Sequence, residues 1–193
     1  MAGPVVAGAV FIKPNSKFLL KGINDSKKLS EKQREDFYEI LINHKDVKWG
    51  VGIVSEKMID KINILEATKL AMIKSFKKLT PDALLIDGNF IVRQNGCTKK
   101  ILQKSIIKGD QKVFSISAAS IIAKVTRDRL MQKYHKQYPQ YGFDKHKGYG
   151  TALHIAKLKK FGVCKIHRKT FYPVTKMYEN KKGLRIGSPC MVD

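Results

Sequence analysis

Cysteine is sparse in this chain, and the three present, Cys97, Cys164 and Cys190, show no Cys-x-x-Cys spacing. An odd number so spaced excludes a disulfide framework and a four-cysteine zinc site, and it fits a reducing compartment. Long apolar runs are missing too, so no segment can span a bilayer. The apolar opening, MAGPVVAGAVFI, has no basic lead and is interrupted by Pro4, which argues against a signal peptide. There is no glycine-rich nucleotide-binding loop. The five histidines (His44, His135, His146, His154, His167) fall at no metal-ligand spacing; His146 and His167 sit in basic stretches, where phosphate contact or solvation fits better. Acids are few: 16 Asp and Glu against 38 Lys and Arg, a net charge of +22. That imbalance points to an anionic partner, with nucleic acid the first choice. Only six of the 38 basic residues are arginine, so a general lysine bias explains part of the excess. It does not explain the shortage of acids.

What is present reads as one globular α/β domain. The 193 residues are 43% hydrophobic, enough for a sizeable core. Val5–Ile12 reads as a strand. SEKQREDFYEILINH reads as a helix capped by Ser30 with Gln33, burying Phe37, Ile40 and Leu41. VKWGVGIVS is a strand, and INILEATKLAMIKSFKKL an amphipathic helix with Leu65, Met72, Phe76 and Leu79 on one stripe. ALLIDGN and KSIIKGD are short apolar runs that each end in an acid. A long helix from about Phe114 to Tyr138 turns Ala118, Ile122 and Val125 inward. A polar, glycine-rich loop, YPQYGFDKHKGYGT, precedes a last helix, Ala152–Phe161. No repeat or internal boundary is visible, so the expectation is a single domain over residues 1–174 and a polar, poorly ordered tail over 175–193. Strands alternating with helices give the α/β class.

Asp87 follows four apolar residues and ends its strand, where open α/β sheets bind ligands. The alternative is that Asp-Gly only makes a turn. Asp110 repeats the pattern, and its alternative is an acid favoured at a helix N-terminus. Two acids ending successive strands can converge and hold Mg²⁺ or Mn²⁺. Paired ions of that kind support in-line attack on a phosphodiester. In FDKHKGYGT, two glycines, Gly148 and Gly150, bracket Tyr149, whose flat ring suits a sugar or base. Lys145, His146 and Lys147 beside it can meet phosphates or simply be solvated. NDSKKLS offers Ser26, Lys27 and Lys28, a hydroxyl and two ammonium groups after a turn. Lys124, Arg127 and Arg129 on the long helix can meet a nucleic-acid backbone, while Asp128 pairs with a base.

Taken in order, AGPVVAGAV, NDSKKLSEK, INILEAT, LLIDGN, KGD, SISAASIIAKVTRDRLM, YPQYGFDKHKGYGT and HRKTFYPV span nearly the whole chain. Together they resemble the bacterial ribonuclease HII family, the type 2 ribonucleases H. The resemblance implies a ribonuclease H-like mixed sheet flanked by helices. It implies cleavage of the RNA strand of RNA–DNA hybrids, and cleavage at single ribonucleotides embedded in duplex DNA. Mn²⁺ or Mg²⁺ would serve the reaction, which leaves a 3′-hydroxyl and a 5′-phosphate. Asp87 matches the third of the family's four carboxylates and Asp110 the fourth. Tyr149 matches the tyrosine that packs on the ribose and senses the 2′-hydroxyl. Gly148 and His146 accompany it, and Ser26, Lys27, Lys28, Lys108 and Lys124 are further candidates for substrate contact. The first two carboxylates belong to a DEAGRG-type motif on the family's first, central strand, which this sequence does not contain. The expectation is therefore a chain recorded from an internal start. Its alternatives are a decaying, inactive product and a hybrid-binding remnant without catalysis. A monomer in the cytoplasm, without membrane contact, completes the expected picture.

Overall fold

The computed structural model describes residues 1–14, 16, 23, 29–92 and 101–183. Its elements are β1 (Val5–Ile12), α1 (Glu31–Asn43), β2 (Val47–Val54), α2 (Glu56–Phe76), β3 (Ala83–Asp87) and β4 (Leu102–Ile106). They are followed by α3 (Gly109–Lys112), α4 (Phe114–Gln137), a 3₁₀ turn (Pro139–Tyr141), α5 (Phe143–His146), α6 (Ala152–Phe161) and α7 (Val174–Gly183). The chain forms two compact units: one of residues 4–130, the other of residues 1–3 with residues from 131 onward.

In the unit of residues 4–130, β1 and β2 pair antiparallel, with Val5 opposite Val54 and Ile12 opposite Val47. β3 and β4 pair parallel, with Ala83 opposite Leu102 and Asp87 opposite Ile106. Both strand directions are therefore present, one pair antiparallel and one parallel. Among the described residues the two pairs are not hydrogen-bonded to each other. Residues of β1 and β3 instead line one cleft of about 700 Å³, which also takes in Met72, Phe76 and Asp87.

Glycine decides how the helices seat on β1 and β2. A Cβ on Gly52 would lie 1.9 Å from the Ala71 carbonyl oxygen, and one on Gly50 would lie 2.1 Å from that of Ser75. On the other face, a Cβ on Gly8 would lie 2.3 Å from the Ala119 carbonyl oxygen. Helix backbone thus rests directly on strand backbone, α2 on one face and α4 on the other, and no side chain fits between. This corrects the expected stripe of α2. The buried residues are Ile59, Ala67, Ala71, Ser75 and Phe76, while Leu65 is 48% exposed. Phe76 of that stripe is buried as expected, but the close approach selects the small Ala67, Ala71 and Ser75, and Leu65 turns outward. α2 also starts earlier than expected and kinks at Asn63, whose φ is 64°. The Asn63 side chain restarts the helix by accepting from the N–H groups of Leu65 (2.9 Å) and Glu66 (3.1 Å).

α1 begins as expected, with the Ser30 and Gln33 capping box intact. Its buried residues are Tyr38 and Leu41, and Ile40 is exposed. They join Ala118, Ile121, Ile122 and Val125 of α4 in the main apolar cluster, so the inward face expected for the long helix is the one observed.

In the other unit, the first three residues lie against a later segment. The Gly3 N–H donates to the Ile166 carbonyl at 2.8 Å, and the Arg168 N–H to the Met1 carbonyl at 2.9 Å. Ala2, Met131, Tyr141, Phe143 and Ile166 make its apolar cluster. The glycine-rich loop is not an open loop: it carries the 3₁₀ turn and α5. Residues 174–183 form α7 where a poorly ordered tail is expected, since Val174 is fully buried and anchors that helix.

Candidate active site

Asp87 is the last residue of β3, and Asp110 is the second residue of α3. The chain leaves β4 and turns at Lys108, which takes a left-handed φ of 56°. That turn brings the Gly109 N–H onto Asp87 Oδ1 at 2.9 Å. Gly109 is needed for the approach: a Cβ there would lie 2.7 Å from Ile116 Cδ1 and 3.4 Å from Asp87 Oδ1. The Asp87 carboxylate is therefore held by the residue immediately before Asp110. Asp110 itself is 2% exposed, and its carbonyl accepts from the buried Ser117 hydroxyl, which ties α3 to the first turns of α4. Asp110 was expected at a strand end. It lies instead in the first turn of a short helix, because the left-handed Lys108 stops the strand before the acid is reached.

Among the described residues, no group of three or more His, Cys, Asp or Glu is gathered for a metal ion. Asp87 and Asp110 offer hard oxygen donors, and the peptide N–H of the residue before Asp110 binds Asp87. By donor type they fit part of the ligand set of a divalent cation such as Mg²⁺ or Mn²⁺.

The basic candidates divide. Lys108 is exposed at the turn. Lys124 pairs with Asp128 at 3.0 Å, the base–acid pairing expected for Asp128. Arg127 Nε donates to the Pro4 carbonyl at 3.3 Å. Arg129 bridges Glu35 and Glu39 of α1 and lies 4.4 Å over the Tyr38 ring. Those carboxylates hold its pKa above the usual guanidinium value. Arg129 thus holds α1 against α4 instead of facing a nucleic-acid backbone. Ser26, Lys27 and Lys28 lie outside the described residues.

In the other unit, Tyr149 follows α5 and is 52% exposed. Gly148 before it has φ +78°, and a Cβ there would lie 2.6 Å from the Ala2 carbonyl oxygen. His146 does not fit the expectation of a solvated or phosphate-facing ring. It is 6% exposed; Nε2 meets the Tyr141 carbonyl at 2.8 Å, and Nδ1 accepts the Gly148 N–H at 3.2 Å. Burial pushes its pKa down. His154, unassigned from the sequence, is buried beside it, and so is His167, against the expectation of phosphate contact or solvation. Burial lowers each of their pKa values to about 4. The buried Arg168 donates from Nε to the Gly3 carbonyl at 3.0 Å. The signal in the sequence is three histidines near one tyrosine, which neither metal-ligand spacing nor basic neighbours reveal.

Comparisons with known proteins identify the family. A sequence model of the ribonuclease HII family matches residues 1–174. The chain belongs to the ribonuclease HII family. The ribonuclease HII of Chlamydia muridarum is 56% identical over 176 residues, covering 90% of this chain and 77% of the relative. That of Bacillus cytotoxicus is 50% identical over 183 residues, covering 94% and 67%. Among solved structures, the ribonuclease H2 of Pyrococcus horikoshii superposes with a TM-score of 0.69 at 28% identity, covering 93% of this chain and 94% of that one. The Archaeoglobus fulgidus ribonuclease HII, solved in complex with PCNA, has a TM-score of 0.71 at 21% identity and supports the fold. As a ribonuclease HII family member the protein is by descent a ribonuclease, a hydrolase of phosphodiester bonds. No helix among its described residues is long and apolar enough to cross a membrane.

Proposed function

We propose that this protein is an endoribonuclease that cuts the RNA strand of RNA–DNA hybrids and cuts at single ribonucleotides embedded in duplex DNA. The observation that carries the reading is the Asp87 carboxylate bound by the Gly109 N–H beside Asp110, in a chain whose family is ribonuclease HII. Asp87 and Asp110 are two of the four carboxylates that would hold Mn²⁺ or Mg²⁺; the other two belong to the DEAGRG-type motif that this sequence does not contain. A pair of such ions, when bound, supplies Lewis acidity and neutralises charge on the scissile phosphate. The protein's own part is orientation. The Gly109 N–H fixes Asp87 Oδ1 before substrate arrives, and Ser117 fixes the peptide carrying Asp110. Preorganised charge of this kind acts without reorganising during the reaction. Hydrolysis leaves a 3′-hydroxyl and a 5′-phosphate.

Tyr149 chooses the place of cutting by packing on the ribose and sensing its 2′-hydroxyl, which separates RNA from DNA. Gly148 shapes the turn that presents it. Lys108 and Lys124 contact phosphates, Lys124 shared with Asp128, and Ser26, Lys27 and Lys28 add further phosphate contacts. His146 supports the Tyr149 turn from inside. Residues 1–174 form the catalytic domain. The protein works as a monomer in the cytoplasm, consistent with cysteines that are few and spaced for no disulfide framework.

Asp87→Asn tests the reading, because the amide keeps the shape and removes the charge. Metal-dependent cleavage of an RNA–DNA hybrid is expected to fall at least about 100-fold, while hybrid affinity is kept. A wild-type protein that binds hybrid yet shows no metal-dependent cleavage would replace this reading by one of binding alone.

A further inference from the structure

The Tyr149 carbonyl ends a line of hydrogen bonds that runs through two buried histidine rings. It takes His154 Nδ1 at 2.8 Å and the Thr151 N–H at 2.9 Å. His154 Nε2 lies 3.1 Å from His167 Nε2. His167 Nδ1 lies 2.9 Å from the Cys164 backbone nitrogen and 3.1 Å from its Sγ.

The proton on each ring follows from its partners. A carbonyl oxygen only accepts, so His154 Nδ1 carries a hydrogen. In a neutral ring the other nitrogen then accepts, so His167 Nε2 must donate to it. That leaves His167 Nδ1 as an acceptor, and the Cys164 N–H, which only donates, meets it. One tautomer pattern satisfies every contact. The reversed pattern sets lone pair against lone pair at Tyr149 and hydrogen against hydrogen at Cys164. His146 stacks on His154 with centroids 4.2 Å apart and the planes within 10°. Both of its nitrogens serve the same turn, through Tyr141 and Gly148.

We infer that His154, itself oriented by His167, is a positioning residue for Tyr149: the two-ring relay fixes the backbone from which the tyrosine ring is presented to the ribose. The inference rests on the reading of Tyr149 as the ribose contact. The relay needs both rings neutral, since a proton added to His154 Nε2 would face the His167 Nε2–H. The groups around the pair favour the neutral form. Burial above all, then His146 of α5, the Met1 amine and, for His154, the His167 ring oppose added charge, against the smaller opposite pull of the Tyr149 and Cys164 backbone contacts. Arg168 adds a buried cation in the same segment as His167, Cys164 faces His167 as thiol and N–H, and Tyr141 lies edge-on to it at 5.1 Å. Asp144 of α5 acts on His146.

The test compares binding of a duplex carrying one ribonucleotide with binding of an all-DNA duplex of the same sequence. The wild type is measured beside Tyr149→Ala, His154→Phe and His154→Asn. The ribonucleotide preference is expected to fall about tenfold in His154→Phe, with affinity for plain DNA unchanged. His154→Asn is expected to regain much of it, because its amide nitrogen replaces the Nδ1 donor. A preference absent in the wild type, or kept in Tyr149→Ala, overturns the ribose reading and this inference with it. A preference lost in Tyr149→Ala but kept in His154→Phe overturns the positioning role alone. Imidazole nitrogen resonances of the wild type at neutral pH give a check that needs no variant. They are expected to show His154 as the Nδ1–H tautomer and His167 as the Nε2–H tautomer, and a bare Nδ1 on His154 overturns the relay.

Discussion

The acids and the tyrosine are held by two different kinds of structure. Asp87 is held by a peptide N–H, in a unit where helix and strand backbones touch through glycine. Tyr149 is held by side-chain rings, in a unit whose interior contains three histidines and an arginine. Peptide groups do not titrate, so the glycine packing of the first unit is set by chain geometry alone. An imidazole does, so the second depends on protonation state as well as on packing. One region is sensitive to a change in volume and the other to a change in pH.

The largest effect expected from breaking this contrast is in the glycine-packed unit. Gly52→Val puts branched carbon where the Ala71 carbonyl already lies within 1.9 Å of a Cβ. A helix backbone cannot yield as a flexible side chain can. A destabilisation of at least about 3 kcal/mol is expected, read from the urea midpoint, and it should be the same at pH 7 and pH 5.

Acid should do the reverse. An unfolded histidine titrates near 6.5, whereas His154 and His167 in the fold titrate at about 4. Below pH 6.5 the unfolded chain takes up protons that the fold refuses. The stabilisation is therefore fully present above 6.5 and is lost as pH falls toward 4. For the two coupled rings the loss is on the order of 3 kcal/mol. Thermal melts between pH 7 and 4.5 would show it, with a flatter profile in His167→Phe. A wild-type profile that is flat across this range would mean that the folded rings take up protons as readily as the unfolded chain does.

Smaller changes sharpen the contrast by removing interactions with no buried titrating partner. Ser30→Ala deletes the α1 cap and is expected to cost about 1 kcal/mol by urea titration. Glu35→Gln leaves Arg129 its bridge to Glu39 and its stacking on Tyr38. It is expected to cost below about 1 kcal/mol, with the difference shrinking further in high salt.

Much of the fold was legible because period and punctuation carry it. β1, α4 and α6 lie where alternation and capping placed them, and the Ser30–Gln33 box is intact. The buried face of α2 was misread for a definite reason. Hydrophobic periodicity looks for large apolar side chains, and a helix lying on glycine buries its small ones, Ala67 and Ala71, leaving Leu65 outside. The register of β1 against β2, which sets that contact, is not a local property of either strand.

At the site, Asp87 was legible as a strand-ending acid. The turn at Lys108 that brings Gly109 to it was not, since a left-handed lysine leaves no mark in composition. The basic neighbours of His146 and His167 suggest phosphate contact or solvation, and both rings are buried instead. Their burial depends on Ala2, which bridges to His167 and donates to the Gly148 carbonyl beside His146, and no window around either histidine contains it.

Lysine covers much of this molecule, and most of those positions could carry another polar residue at little cost to folding. Gly8, Gly50 and Gly52 have no such latitude, because each is occupied at atomic distance by the backbone of a helix. A lineage under compositional pressure can rewrite the charged surface freely. The positions it must leave alone include three that carry no side chain.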